Sequence, residues 1–164
     1  MSASQANLPG RRTWCGPLDS AELRSRVGIA HLMATYQFLG DSGKTRQLAE
    51  LFVPDALFET NNGRFVGRDA ILGFFVDTKG AFVGAGFSPA RHYLSSIYID
   101  VRSDGGASTY ACFQFVGSRG LDHWGTYRDE VAPIGDRWQF TRRQAIVDGC
   151  VPASPVRTML GLKP

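Results

Sequence analysis

The chain has 164 residues, of which 43% are hydrophobic, 12% aromatic and 20% charged. At about 100–200 residues per domain this predicts one folded domain, and the aromatic content excludes a disordered chain, which cannot bury enough apolar surface to offset its ordering entropy. Lys and Arg total 18 against 15 Asp and Glu, a net charge of +3. These charges are scattered, not gathered into the basic stripe of a nucleic-acid binder, so no nucleic-acid partner is expected.

The sequence contains no apolar run long enough for a membrane span. Its first residues, MSASQANLPGRRTWCGP, lack the apolar stretch of a secretory signal. Cys15, Cys112 and Cys150 are odd in number and widely spaced, which fits neither a disulfide framework nor a zinc site. A cytoplasmic location is therefore expected.

Residues 1–17 read as a flexible arm that docks through Trp14. The first helix starts at Asp19, a capping residue with Glu22 three positions on. Leu23, Val27, Ala30, Ala34 and Phe38 form its apolar stripe, and Gly40 ends it as a left-handed C-terminal residue. A short second helix covers Lys44 to Phe52 and stops before Pro54. Asp55–Thr60 reads as a strand, Asn61-Asn62-Gly63 as a turn, and Arg64–Val66 as the returning strand of a hairpin. A third helix covers Arg68–Asp77. Lys79–Pro89, rich in Gly and Phe, reads as a loop.

Four strands follow: Arg91–Val101, Ala107–Gly117, Asp122–Ala132 and Arg137–Val147. Tyr93, Ile97, Ile99 and Val101 share one parity of the first, and Phe113 and Phe115 one parity of the second. Helices followed by a long antiparallel run give an α+β domain over residues 18–150. Residues 151–164 are left as a C-terminal tail, extended or partly helical.

The order of several short strings resembles the SnoaL-like branch of the nuclear-transport-factor-2-like superfamily, which includes scytalone dehydratase-like and bile-acid dehydratase-like enzymes. The strings are Tyr36 with Asp41, LFVPDALFE (51–59), VGRDAI (66–71), Arg91-His92, IDV (99–101), GTYRDE (125–130) and WQFTRR (138–143). The resemblance implies a cystatin-like roll: a cone-shaped, curved antiparallel sheet wrapped around the N-terminal helices, enclosing a deep pocket. It implies a cofactor-independent lyase or isomerase acting on a small apolar, steroid-like or polyketide-like molecule, with no metal. It also implies a homodimer or homotrimer built on the outer face of the sheet.

By the same matching, Asp41 orients His92 and Tyr36 joins them as an acid. The chemistry is self-consistent. A neutral imidazole takes up a proton near pH 7, a carboxylate on its other nitrogen sets the tautomer, and a phenol donates to a carbonyl or leaving hydroxyl. The plainer alternatives are that Asp41 caps the second helix, that His92 is a hydrogen-bonded core residue, and that Tyr36 lies in the core with Ile29, Leu32 and Met33. Arg143, Tyr127, Trp124, Phe113 and Phe115 are the candidate substrate contacts. Alternation places Arg143 opposite Trp138 and Phe140 unless a bulge intervenes.

One departure weakens any particular dehydration. The dehydratase-like members carry an acidic residue or a second His on the strand after the His strand. Here that strand reads YACFQFVGS, and Gln114 is its one polar candidate. Three alternatives remain: a non-catalytic binding or oligomeric subunit, a polyketide cyclase, and an epoxide hydrolase. The last needs an Asp–Arg–Asp arrangement, for which Asp41 and Arg143 are available without a placed second Asp.

Overall fold

The computed structural model describes residues 16–160 other than Ser88; the arm through Cys15, with Trp14, lies outside them. The elements run α1 (Ser20–Asp41), α2 (Thr45–Ala49), β1 (Phe52–Thr60), β2 (Gly63–Val66), α3 (Arg68–Gly84), β3 (Arg91–Val101), β4 (Ala107–Gly117), β5 (Gly120–Ile134), β6 (Arg137–Cys150) and α4 (Pro155–Met159).

Asp19 caps α1 as expected: its carboxylate accepts from the backbone N–H of Ala21 and Glu22, both at 2.8 Å. The buried face is not the expected one. Ile29, Leu32, Met33, Tyr36, Gln37 and Leu39 face the core, while Leu23, Val27 and Phe38 are more than half exposed. The helix carries two apolar stripes, and the one with the larger side chains meets the sheet. Gly28 lies where Trp138 crosses the helix, since a Cβ there would stand 2.8 Å from the indole.

Nor does α1 end at Gly40. It continues to Asp41, and the left-handed residue is Gly43, at φ +64°. The Lys44 N–H then returns to the Leu39 carbonyl at 2.9 Å, the closing bond of a Schellman turn.

Two boundaries also shift. α2 stops at Ala49, and Phe52 opens β1, with Pro54 inside the strand. The missing N–H of Pro54 is tolerated because pairing of β1 with β6 lapses between Phe52 and Leu57. α3 runs on through Gly84, across residues expected to form a loop. Its glycines are poor helix formers, but Phe82 packs against Phe87, Phe115 and His123, and tertiary packing overrides propensity.

The six strands form one curved, unclosed sheet in the order β2-β1-β6-β5-β4-β3. It is mixed rather than wholly antiparallel, because β1 pairs parallel with β6. The α+β, cystatin-like arrangement is as expected, with α1 across the concave face against β3 and β6.

Bulges set which side chains point inward. In β3 the register slips between Ser95 and Tyr98, with Ser96 at φ +51°. The slip exchanges faces: Ile99 and Val101 are buried while Tyr93 and Ile97, of the same parity, are exposed. In β6 the slip falls at Thr141, opposite Glu130 and Val131. It turns both Phe140 and Arg143 inward, the exception that strict alternation forbids. The expected C-terminal tail carries α4, whose Val156 packs against Phe87 and Phe115.

Candidate active site

The concave face of the sheet, α1, α3 and α4 line an open cavity of about 940 Å³. Such a volume takes a multi-ring molecule. Its walls are mainly apolar, with Phe58, Phe75, Phe82, Phe87, Phe113 and Phe115 contributing. Polar side chains line it too, among them Gln37, Asp41, Asn61, Arg91, His92 and His123.

Asp41 and His92 come together at this cavity, as the sequence led one to expect. His92 Nδ1 lies 2.8 Å from Asp41 Oδ1. The backbone N–H of His92 donates to both Asp41 oxygens, at 3.2 and 3.1 Å. Both oxygens are therefore acceptors, which assigns the shared proton to His92 Nδ1 and leaves Nε2 with its lone pair. The Schellman turn at Gly43 makes Asp41 the last helical residue, at the height of the first residues of β3.

Tyr36 reaches the cavity from the same helix, yet most of it is core. Its ring packs edge-on against Phe52, Phe75, Tyr127 and Phe140. Burial raises its pKa, and the Arg143 charge opposes that rise. Tyr127 is stacked on Phe113 with centroids 4.7 Å apart, and burial raises its pKa too. Both side chains are neutral phenols near neutral pH, able to donate. Phe113, Phe115 and Tyr127 line the cavity as expected.

Two expected contacts are placed elsewhere. Trp124 lies on the outer face, 39% exposed, packed over Gly149, because alternation from the inward His123 and Gly125 turns it away. Arg143 is inward but wholly buried beneath the cavity, outside its lining. Its Nε and Nη2 hold the two oxygens of Asp129 at 2.8 and 2.9 Å, and its guanidinium lies over the rings of Tyr36, Tyr127 and Phe140. Asp129 is the acidic partner the sequence did not reveal for Arg143. It is equally buried, so these residues do not form the Asp–Arg–Asp line of an epoxide hydrolase on the cavity wall. Gln114 is exposed on the outer face of β4.

Gln37 and His123 are polar groups on the wall that were not among the expected site residues. Gln37 lines the cavity one helical turn before Asp41, with its side chain beside Tyr127. His123 lines it from β5, opposite Phe115. The parity it shares with Tyr127 was the available signal. Among the described residues no group of three or more His, Cys, Asp and Glu is placed to hold a metal ion, and no helix is long and apolar enough to cross a membrane.

Comparison with known proteins places this geometry. A cystatin-like protein from Nostoc punctiforme PCC 73102 is similar at TM-score 0.68 and 19% identity, covering 86% of this chain and 99% of that one. A candidate scytalone dehydratase from Novosphingobium aromaticivorans DSM 12444 is similar at TM-score 0.66 and 26% identity, covering 77% and 86%. LinA is similar at TM-score 0.64 and 18% identity, covering 77% and 88%. A search of curated proteins returned no match. The family model of the SnoaL-like domain matches residues 21–144. With the curved sheet, the cavity on its concave face and this match over most of its length, the chain belongs to the SnoaL-like family.

Proposed function

We propose that this protein is a lyase or isomerase of the dehydratase type, moving a proton on an apolar, ring-containing molecule held in the cavity. The observation that carries this reading is the Asp41–His92 contact at 2.8 Å on an aromatic-lined cavity. His92 Nε2 takes a proton from carbon beside a carbonyl. The proton on Nδ1 stays shared with Asp41, which stabilises the imidazolium that forms. Tyr36 donates to the oxygen that gains charge. The β-hydroxyl then leaves as water with the proton held at His92 Nε2, which completes dehydration, or that proton returns at another carbon, which completes isomerisation. The step uses these side chains alone. The 26% identity to a candidate scytalone dehydratase supports the same class.

The outward placement of Gln114 favours a second reading, a ligand-binding subunit without turnover, since β4 adds no polar group to the dyad. Deuterium exchange separates the two. Ring ketones, flavanone among them, are followed by NMR in heavy water for exchange beside the carbonyl. Acceleration by the wild type and its loss in His92→Ala support the enzyme. Equal rates for the two proteins across the series overturn it. A homodimer or homotrimer through the sheet's outer face is part of the proposal, and a sedimentation mass near 17.9 kDa would contradict it.

A further inference from the structure

His123 on the cavity wall belongs to a second carboxylate–imidazole pair that the proton transfer above leaves unused, with its partner Asp122 behind the wall. Asp122 and His123 are successive residues of β5, at a register slip. His123 pairs with Phe115 and Leu121 with Val116, so Asp122 is the extra residue. The bulge lets two neighbouring side chains turn inward, and both are buried.

The pair is built into its surroundings. Asp122 Oδ1 lies 2.9 Å from His123 Nδ1 and accepts from the Ser154 hydroxyl at 2.6 Å. The Ser154 oxygen in turn accepts from the Val156 N–H at 3.1 Å. The Val151 N–H bonds the Asp122 carbonyl at 2.8 Å, so the C-terminal segment is fastened to this pair twice. Since Ser154 donates to Oδ1, that oxygen is an acceptor, and the proton between it and His123 is assigned to Nδ1.

His123 Nε2 is left with a lone pair and no hydrogen-bond partner among the described residues. Burial lowers the imidazole pKa, against the pull of Asp122, which keeps the ring neutral near neutral pH. The ring stacks on Phe115 with centroids 4.6 Å apart, and His92 meets the same phenylalanine at 4.8 Å. The two imidazoles therefore flank one ring of the cavity wall. A neutral acceptor in an aromatic wall is matched by a ligand donor, and the donor that a ring-containing molecule most simply carries is a hydroxyl.

We propose that His123 contacts the substrate by accepting, at Nε2, a hydrogen bond from a hydroxyl group lying across Phe115 from the carbon that His92 deprotonates. The inference rests on the proton-transfer reading and narrows its substrate class to ring ketones that also bear a hydroxyl. Asp122 and Ser154 are positioning residues, holding the tautomer that leaves Nε2 free.

The test compares flavanone with 4′-hydroxyflavanone by calorimetry on the wild type, His123→Phe and His123→Gln. The wild type binds the hydroxylated molecule about tenfold more tightly, equivalent to about 1.4 kcal/mol. His123→Phe loses the preference while still binding flavanone, which also reports that it is folded. His123→Gln keeps part of it through its amide oxygen. Equal binding of the two flavanones by the wild type, no binding of either, or a preference that survives in His123→Phe overturns the proposal. So does a deuterium-exchange rate in His123→Phe as low as in His92→Ala, which would make His123 a proton carrier. Imidazole ¹⁵N spectra of the wild type give a check that needs no variant: His123 protonated at Nε2 overturns the proposal. Loss of exchange without loss of the hydroxyl preference in His92→Ala keeps this inference separate from the dyad.

Discussion

The guanidinium carbon of Arg143 stands 3.9 Å from the centroid of the Tyr36 ring, with no part of the arginine side chain exposed. The charge is balanced by Asp129, itself fully buried and further bonded by the Thr109 hydroxyl at 3.0 Å. Breaking a buried pair from one side strands the other charge, at a cost of about 3–5 kcal/mol. Arg143→Met and Asp129→Asn are each expected to lose about that much in urea unfolding. The double variant Arg143→Met/Asp129→Leu is expected to lose less than the two single losses added. Single losses near the few tenths typical of surface positions would show that the pair is not the keystone of this layer.

Asp41→Asn separates orientation from charge at the dyad. The amide oxygen still accepts the His92 backbone N–H, so the melting temperature is expected to move little. The imidazolium loses its carboxylate, and exchange activity should fall by about 10²–10⁴-fold. A variant with full activity, or one that fails to fold, would contradict this division.

Tyr36 and Tyr127 give a spectroscopic prediction. Burial raises the pKa of both above the ordinary phenol value. Of the 5 tyrosines, these two are expected to ionise only as the protein unfolds. The unfolded chain releases their protons first, so stability falls as pH rises past about 10. An ultraviolet titration in which all tyrosines ionise in the folded state would refute it.

His123 sets an acid limb. Its folded pKa is lowered, chiefly by burial, so below about 6.5 the unfolded chain takes up a proton that the folded chain resists. Stability attributable to this residue is present above that pH and lost as pH falls through the window below it. Urea midpoints between pH 7 and 5 should drop in the wild type and drop less in His123→Gln. Equal slopes would remove His123 as the cause.

Much of this was legible in the residues. Asp19 marks the start of α1, the last four strands fall close to their expected bounds, and the ordered strings led to Asp41 and His92 across 51 positions. What was not legible has physical causes. α1 carries two apolar stripes, and only the concave sheet decides which is buried. α3 passes through Gly80 and Gly84 because Phe82 is held from outside the helix. Bulges leave little local trace: Ser96 and Thr141 look like ordinary strand residues, yet each reverses the faces that follow. His123 has no second His at metal-ligand spacing, and its partner Asp122 adjoins it in sequence, where regular alternation sends neighbours to opposite sides; only the bulge at Asp122 brings the two together.

Thr141 shows what one residue of length controls. On its amino-terminal side β6 gives Trp138 and Phe140 to the apolar layer under α1; on the other it gives Arg143, Ala145 and Val147 to the layer beneath and around the ligand space. Delete that residue and Phe140 and Arg142 become neighbours, still opposite Val131 and Glu130. Ordinary alternation then keeps Phe140 and Arg143 on the inner face. Insert one regular strand residue after Arg142 instead and the second half of the strand turns over, sending the arginine to solvent and leaving Asp129 unbalanced. The chemistry of this cavity thus tolerates a shorter strand at Thr141 and not a longer one beyond it, at positions that touch no ligand.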